Sequence, residues 1–307
     1  MLSTTPYEVP PYLLKRAEGL PRVAMAIAGA DNPIALQSAR QAAEAGLIEP
    51  VLVGDRTRIL DMARTMGWDV SGLRIVSIND GDEAAAARAA VALARGNEVA
   101  SLMKGHVHTD ALMAAVVDRD TGLRTGRRLS HVFHMTVPGS DRVLMITDGA
   151  VNVAPDAGVK LDIINNAVGL SHALGNAEPR VALLSGTESP IPAMPSSMEA
   201  REVVARANNG AVTGALVDGP FAFDNAVSPA AAELKKIGGP VAGRADILVV
   251  PNIETGNGLF KMMVYFMSGL AAGVVTGAKV PIVLTSRADP PEARFAAAAI
   301  AAIAAAR

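Results

Sequence analysis

The sequence of 307 residues contains no cysteine, and aromatic residues make up only 3% of it. Without cysteine the chain has no disulfide framework, no thiolate zinc site and no cysteine nucleophile. The scarcity of aromatic rings argues against stacking on nucleic-acid bases. The formal net charge of −2 also lacks the basic excess of nucleic-acid-binding proteins. We therefore expect no nucleic-acid partner.

Long hydrophobic runs are missing as well. The most apolar stretch, Phe295–Ala306, is much shorter than the roughly 20 residues that a membrane span needs. An alanine-rich helix packed closely against a sheet explains it better, because alanine favours helices and holds packed layers close together. The N-terminal residues lack the basic start and the apolar run of a signal peptide. We expect a cytoplasmic protein with no membrane partner.

Short apolar runs rich in β-branched residues alternate with amphipathic helical segments along the whole chain. This alternation predicts βαβ units, and hence an α/β fold with mostly parallel sheets. The runs Ala245–Asn252 and Val280–Ser286 are apolar on both faces, as expected for strands that helices cover on two sides. About ten strands exceed a comfortable single sheet, so the pattern favours two α/β domains.

The segment Leu129–Asp148 breaks the alternation. Its two apolar stretches, HVFHMTV and RVLMITDG, are separated by PGSD, which is a favourable tight-turn sequence. We predict a β-hairpin here, at the point where one domain passes into the next. The resulting assignment is residues 1–137 plus 278–307 for the first α/β domain and residues 138–277 for an inserted second α/β domain.

Ligands of open α/β sheets bind outside the carboxyl ends of the strands, so the residues that follow each strand are candidates for a site. No dinucleotide fingerprint, P-loop or G-x-S-x-G elbow follows any strand. His106 and His108 lack a third ligand at metal spacing, and we predict no metal site. For Asp148 we favour a turn-and-cap role. The polar strand ends are Lys104-Gly105-His106, Asp148-Gly149, Ser185-Gly186, Asp218-Gly219-Pro220, Pro251-Asn252 and Thr285-Ser286-Arg287.

Three of these segments occur together in a familiar order. They are Leu102–Gly105 (LMKG), Val250–Lys261 (VPNIETGNGLFK) and Pro281–Asp289 (PIVLTSRAD). With them the chain resembles the phosphate acetyltransferase/phosphate butyryltransferase family from roughly Arg22 to the C-terminus. The combination of Met-Lys-Gly with Leu-Thr-Ser-Arg-Ala-Asp is most similar to the butyryltransferase branch.

The resemblance implies two three-layer α/β/α domains with a cleft between them, similar to isocitrate and isopropylmalate dehydrogenases. Ser286 and Arg287 then belong to the first domain, and Asn257 belongs to the second and faces the cleft. The implied reaction converts acyl-CoA and phosphate into acyl phosphate and CoA, with an acetyl or butyryl group. It needs both substrates bound together and no covalent acyl-enzyme. Coenzyme A is a substrate, no cofactor is bound tightly, and a homodimer or higher homo-oligomer is expected.

Chemical roles for individual residues follow from what this reaction needs. Ser286, Arg287 and Asp289 are the predicted catalytic residues. Arg287 binds phosphate or polarises the carbonyl, and Ser286 hydrogen-bonds the reacting sulfur or oxygen. Lys104 supplies a second positive charge. A helix is predicted over Gly258–Ser268, and the Gly256–Gly258 backbone at its N-terminus forms an anion cradle with Asn257. The full set predicted to bind substrate is Lys104, Gly105, Gly256, Asn257, Lys261 and Thr285.

The sequence also departs from the family pattern. An acid that the acetyl branch carries after Ser-Arg is replaced by Ala293, so Asp289 is the candidate base and Glu292 the alternative. Met113 and Tyr265 stand where the acetyl branch has arginines. The missing cations indicate weaker phosphate binding, a longer acyl group, or replacement by Lys104 and Lys261.

Two other functions remain open at the level of sequence. A decarboxylating dehydrogenase of the same fold class would need a nicotinamide, a divalent metal and a cluster of aspartates, and no such cluster is evident. A catalytically inactive protein that binds CoA or an acyl ligand would explain the missing acid and arginines.

Overall fold

A computed structural model describes residues 3–286 and 289–306. Strands and helices alternate along most of the chain, which confirms the predicted α/β class. The strands are β1 (Val23–Ala28), β2 (Ile48–Gly54), β3 (Ile75–Ser77), β4 (Ser101–Lys104), β5 (Ser130–Thr136), β6 (Leu144–Thr147), β7 (Arg180–Leu184), β8 (Leu216–Phe221), β9 (Ile247–Val249), β10 (Leu270–Thr276) and β11 (Ile282–Val283). The α-helices are α1 (Pro11–Ala17), α2 (Pro33–Glu44), α3 (Arg56–Thr65), α4 (Glu83–Arg95), α5 (Thr109–Val117), α6 (Ala157–Ala173), α7 (Pro195–Arg206), α8 (Phe223–Val227), α9 (Pro229–Leu234), α10 (Ile253–Met267) and α11 (Pro291–Ala305).

The chain divides into two compact units. Unit A comprises Val9–Arg127 and Ala272–Arg307, and unit B comprises Met1–Glu8 and Arg128–Ala271. These bounds differ from the predicted domain bounds at 137/138 and 277/278. The difference has a physical reason, because β5 pairs along most of its length with β6 and therefore groups with the inserted segment. The assignment of functional domains stays a prediction.

Unit A is built on strands in the order β3-β2-β1-β4-β11-β10. Neighbouring strands from β3 to β11 run parallel, and β10 is antiparallel to β11. The helices between the parallel strands give the right crossover length for βαβ units. All parallel strands therefore end at one edge, where the loops carrying Lys104 and Ser286 begin.

Helix α11 is buried on every side. Its consecutive residues Ala296–Ile303 are at most 4% exposed, and the helix contacts α1, α2, β4 and β11. A helix that is apolar all round is buried within its domain. The alanine methyl groups let neighbouring elements approach closely, as the sequence predicted for this segment.

Unit B contains the strands β5, β6, β9, β7 and β8 in that spatial order. β5 and β6 form an antiparallel hairpin with Phe133 opposite Ile146, and Ser140 N–H donates to Val137 O across the turn at 3.2 Å. The predicted hairpin is therefore confirmed. The remaining neighbours run parallel, and their side chains form the core of this unit with Phe133 stacked on Phe260 at 3.8 Å.

The predicted start of the helix at Gly258 is wrong. α10 begins at Ile253, where the Asn252 side chain caps it by accepting from Thr255 N–H at 3.0 Å. Gly256 N–H is already used in the helix, since it donates to Asn252 O at 3.3 Å. The predicted anion cradle formed by the Gly256–Gly258 backbone is therefore wrong, because an amide bonded within a helix is not available to an anion.

Gly256 instead serves close packing. A Cβ atom on Gly256 would lie 2.8 Å from Gly149 Cα and 3.0 Å from Asp148 O. The first turns of α10 thus rest directly on the backbone of the Asp148–Gly149 turn. Gly258 lies two residues along the same helix, and a Cβ atom there would meet no tertiary neighbour within 4 Å among the described residues.

This pair of glycines allows a matched test. We expect Gly256→Ala to lower the free energy of unfolding by about 1–3 kcal/mol, because the new methyl group overpacks a backbone contact. Gly258→Ala is expected to raise it by roughly 0.5–1 kcal/mol, since alanine is the better residue in a helix. Urea unfolding of both variants checks this. Equal effects of the two substitutions would contradict the packing role of Gly256.

A buried histidine in β5 makes stability depend on pH. Burial lowers the pKa of His134 from 6.5 to about 4, because the charged imidazolium is desolvated. The unfolded chain therefore binds a proton at higher pH than the folded chain does. The stabilising contribution of neutral His134 is complete above pH 6.5 and is lost as the pH falls towards 4.

We expect His134→Phe to flatten the decline in unfolding free energy between pH 6.5 and 4, by up to about 3 kcal/mol. His106→Gln, which removes an exposed histidine, is the control and should keep the decline of the unmodified chain. Denaturant unfolding at a series of pH values measures the difference. Superimposable pH profiles for all three proteins would show that His134 does not titrate as proposed.

Candidate active site

Three parallel strands of unit A end side by side. Ala28 of β1 pairs with Lys104 of β4, and Met103 of β4 pairs with Val283 of β11. Thr285 and Ser286 follow β11 after one residue, Leu284. The structure therefore brings together four residues that the sequence assigned to the site, namely Lys104, Gly105, Thr285 and Ser286.

The Lys104-Gly105 segment is held by backbone contacts. Gly105 N–H donates to Ala28 O at 2.8 Å, and a Cβ atom on Gly105 would lie 2.5 Å from Gly29 O. Only glycine permits this approach of the two loops. Lys104 is 7% exposed, and its Nζ donates to Val107 O at 3.4 Å. A buried ammonium group on a fixed strand end is a positioned charge, whereas a surface lysine is a mobile one.

The loop after β11 is closed by two reciprocal hydrogen bonds. Ser286 N–H donates to Asp289 Oδ2 at 2.6 Å, and Asp289 N–H donates to Ser286 O at 3.2 Å. Burial raises the pKa of Asp289, while the Ser286 N–H, Arg294 and Lys104 oppose that shift. Thr285 is buried and Ser286 is exposed. The predicted residue Arg287 lies outside the described residues.

Arg294 joins this group, although the sequence analysis did not select it. It lies near the start of α11, and its Nη1 donates to Ser286 O at 3.4 Å. Its Nε is buried and has no hydrogen-bond partner among residues 3–286 and 289–306. One signal was available, because a cation near a helix N-terminus opposes the helix dipole and therefore calls for another reason to be there.

These residues line a cavity of about 130 Å³ in unit A. Its wall also includes the start of α2, where the Asn32 side chain accepts from Ile34 N–H at 2.9 Å. The positive end of the α2 dipole thus borders the same space. The described lining is Asn32, Ile34, Ala35, Ser38, Met103, Lys104, Gly105, His106, Thr285, Ser286 and Arg294.

The remaining predicted residues lie on α10 in unit B. Asn257 Nδ2 donates to Gly149 O at 3.3 Å, so this side chain supports the same turn that Gly256 packs against. Lys261 is exposed, with its Nζ 6.0 Å from the centroid of the Phe260 ring.

Asp148 has the turn-and-cap role that the sequence favoured. Its buried carboxylate accepts from the backbone N–H groups of His131, Ala150, Val151 and Asn152 at 2.8–3.2 Å, and from Asn152 Nδ2 at 2.8 Å. Because all of these groups donate to it, the Asp148 carboxylate acts as a hydrogen-bond acceptor that stabilises the turn. His108, another candidate, pairs with Glu83 through Nδ1 at 2.6 Å.

The positions that depart from the family pattern differ in environment. Ala293 is 1% exposed in α11, whereas Tyr265 is 52% exposed on α10. Met113 is partly exposed in α5. Within the described ranges, no helix is long and apolar enough to cross a membrane, and no group of three or more His, Asp or Glu side chains is placed to hold a metal ion.

Known proteins resemble this chain in sequence. The model of the phosphate acetyl/butaryl transferase family matches residues 83–302. A phosphate acetyltransferase from Rhizobium meliloti is 48% identical over 89% of this chain and 85% of its own length. A phosphate butyryltransferase from Clostridium beijerinckii is 38% identical over 96% of this chain and 97% of its own.

Solved structures extend the likeness to the fold. A branched-chain phosphotransacylase from Enterococcus faecalis V583 has a TM-score of 0.81 at 34% identity, covering 92% of this chain and 99% of its own. A 4-hydroxythreonine-4-phosphate dehydrogenase from Burkholderia phymatum has a TM-score of 0.57 at 15% identity, covering 91% of this chain and 98% of its own. The second match shows a shared fold alone.

These relatives do not favour the decarboxylating dehydrogenase or the inactive CoA-binding protein. The matched span, the identities and the acyltransferase names agree with one another. The chain belongs to the phosphate acetyl/butyryl transferase family and is an acyltransferase.

Proposed function

We propose that this enzyme transfers an acetyl or butyryl group between coenzyme A and inorganic phosphate, through a ternary complex and without a covalent acyl-enzyme. The observation that carries the proposal is the meeting of Lys104, Ser286 and Asp289 at one strand edge, beside a cavity of about 130 Å³. At about 30 Å³ for each water in the liquid, that space corresponds to roughly four waters, which suits a phosphoryl group.

The reaction needs positioned charge more than a covalent partner. An oxygen of hydrogen phosphate attacks the thioester carbonyl carbon, and the carbon–sulfur bond of the tetrahedral intermediate then breaks. The proton of hydrogen phosphate ends on the CoA sulfur, so acyl phosphate and CoA thiol are formed. Lys104 holds phosphate, and Ser286 donates a hydrogen bond to the reacting oxygen or sulfur. Arg287 is proposed to share the phosphate or carbonyl contact.

In the reverse direction Asp289 takes the proton of the CoA thiol. A raised pKa makes its carboxylate a stronger base, and the thiolate is the better nucleophile. Gly105 and Thr285 shape the phosphate side. Asn257 and Lys261 are proposed contacts of the CoA chain, while Gly256 is reassigned to packing.

The proposal includes a homo-oligomer in the cytoplasm, with CoA as a substrate and no tightly bound cofactor. The outer face of α10 supports a contact between subunits, because Met262, Tyr265, Phe266 and Met267 are 42–54% exposed. Apolar side chains grouped in this way on a surface mark an interaction site.

The function is tested by initial rates with acetyl-, butyryl- and hexanoyl-CoA, each with and without phosphate, followed by thioester absorbance. We expect a loss of thioester that depends on phosphate or arsenate, fastest with acetyl- or butyryl-CoA. The Ser286→Ala variant should be slower by about 10²-fold or more, because it lacks a transition-state hydrogen bond. The absence of phosphate-dependent loss with every acyl-CoA would overturn the proposal.

The base is tested in the direction of acyl-CoA synthesis. Because its carboxylate must be ionised, we expect kcat to fall as the pH drops through the raised pKa of Asp289, above the ordinary value of about 3.9. Asp289→Asn keeps an oxygen for the Ser286 N–H but should lower kcat about 10²-fold and abolish this acid limb. Glu292→Gln is the matched comparison. An acid limb that disappears with Glu292→Gln and persists in Asp289→Asn would assign the base to Glu292 instead.

A further inference from the structure

Unit A contains a candidate to replace the cations that are missing at Met113 and Tyr265. Tyr265 and Met113 stand at positions where cations were expected, and neither lines the cavity beside Ser286. Arg294 does line it, opposite the start of α2 and together with Lys104. The described wall of this cavity therefore contains the side chains of one lysine and one arginine and no carboxylate.

Among the described residues, the hydrogen bonds of Arg294 leave most of its donors without an acceptor. A guanidinium group carries five N–H donors in a planar fork. Only Nη1 has a described acceptor, the carbonyl oxygen of Ser286 at 3.4 Å, and Nε is buried without one. In the described part of the chain no carboxylate lies within 4.0 Å of the guanidinium, so no salt bridge occupies it.

A buried donor of a cation that lacks an acceptor costs free energy. A bound anion removes that cost by accepting the hydrogen bond. Burial lowers the pKa of Arg294, which shows that its charge is partly desolvated, and Asp289 and Glu292 oppose this shift. Arg294 is carried by a tightly packed helix, because residues Ala296–Ile303 of α11, which follow it, are at most 4% exposed. The N–H donors of a guanidinium group held in this way match the spacing of two phosphate oxygens.

We propose that Arg294 binds the phosphoryl oxygens of inorganic phosphate and of acyl phosphate in the cavity beside Ser286. The proposal rests on the function proposed above. Together with Lys104 at the end of β4, Arg294 neutralises the dianion and holds one of its oxygens towards the acyl carbon. Bond formation needs no proton from Arg294, because its guanidinium acts only as a donor and a charge.

The test uses the full-length protein and the variants Arg294→Gln and Arg294→Lys. We expect Arg294→Gln to raise KM for phosphate at least about tenfold, which equals about 1.4 kcal/mol, and to leave KM for acyl-CoA within about twofold. Arg294→Lys should raise KM for phosphate several-fold, because lysine keeps the charge and loses the fork. Arg64→Gln removes the same charge from an exposed site on α3, where the Arg64 side chain is 78% exposed, and should change neither constant.

A binding measurement separates this inference from the proposed function. Phosphate should raise Tm of the unmodified protein and of Arg64→Gln above the value in chloride at equal ionic strength, and that gain should vanish in Arg294→Gln. Should the unmodified protein show no turnover, the same Tm difference would still support the site. If Arg294→Gln does not fold, Arg294→Lys takes its place in both measurements.

Two results would overturn the proposal. One is an unchanged KM for phosphate in the folded variants together with an unchanged Tm gain. The other is a substitution of Arg294 that raises KM for acyl-CoA and leaves KM for phosphate unchanged. In that case the same substitution would leave KM for dephospho-CoA, which lacks the 3′-phosphate, unaffected. That second result would assign Arg294 to the 3′-phosphate of CoA.

Discussion

The backbone contact between the ends of β1 and β4 fixes the geometry on which the proposed site depends. Gly105 N–H and His106 N–H donate to Ala28 O and Gly29 O, both at 2.8 Å, so two loops from different βαβ units are joined at their first residues. Lys104 is thereby set immediately before an immobile loop. β11 pairs with β4, and α2 begins just after β1. The same backbone contact therefore also positions the other walls of the cavity.

In the proposed mechanism, transfer between two bound substrates gains most of its rate from placement, because no covalent intermediate divides the reaction into easier steps. Unit A positions its polar and charged groups in different ways. Lys104 ends a strand, Ser286 and Asp289 close a loop on each other, and Arg294 lies near the start of α11. Each group is held by contacts within the protein, and in the proposed mechanism the charges are therefore arranged before phosphate binds.

The sequence was sufficient wherever a local pattern determines the structure. Alternation of strands and helices, the PGSD turn and the alanine-rich helix all have short-range causes, and the structure has them. β10 escaped prediction because Leu270–Thr276 continues an apolar run past Ser268, which ends α10 in the left-handed region at φ 50° without glycine at that position. The start of α10 was misplaced because Gly-Asn-Gly is typical of turns, and only the contact of Gly256 with Gly149 explains glycine inside that helix. Arg294 could not be selected from strand ends alone, since its burial is a property of how α11 packs.

The packing of α11 also limits how this site can change. Residues Ala296 to Ile303 are buried on every side, and the same helix carries Arg294 two residues earlier. A larger side chain anywhere along that stretch would shift the whole helix, and with it the guanidinium group, before it altered the shape of the cavity. A change along this buried stretch of α11 would therefore reach the proposed phosphate site through Arg294. That site depends on packing that leaves little room for larger side chains.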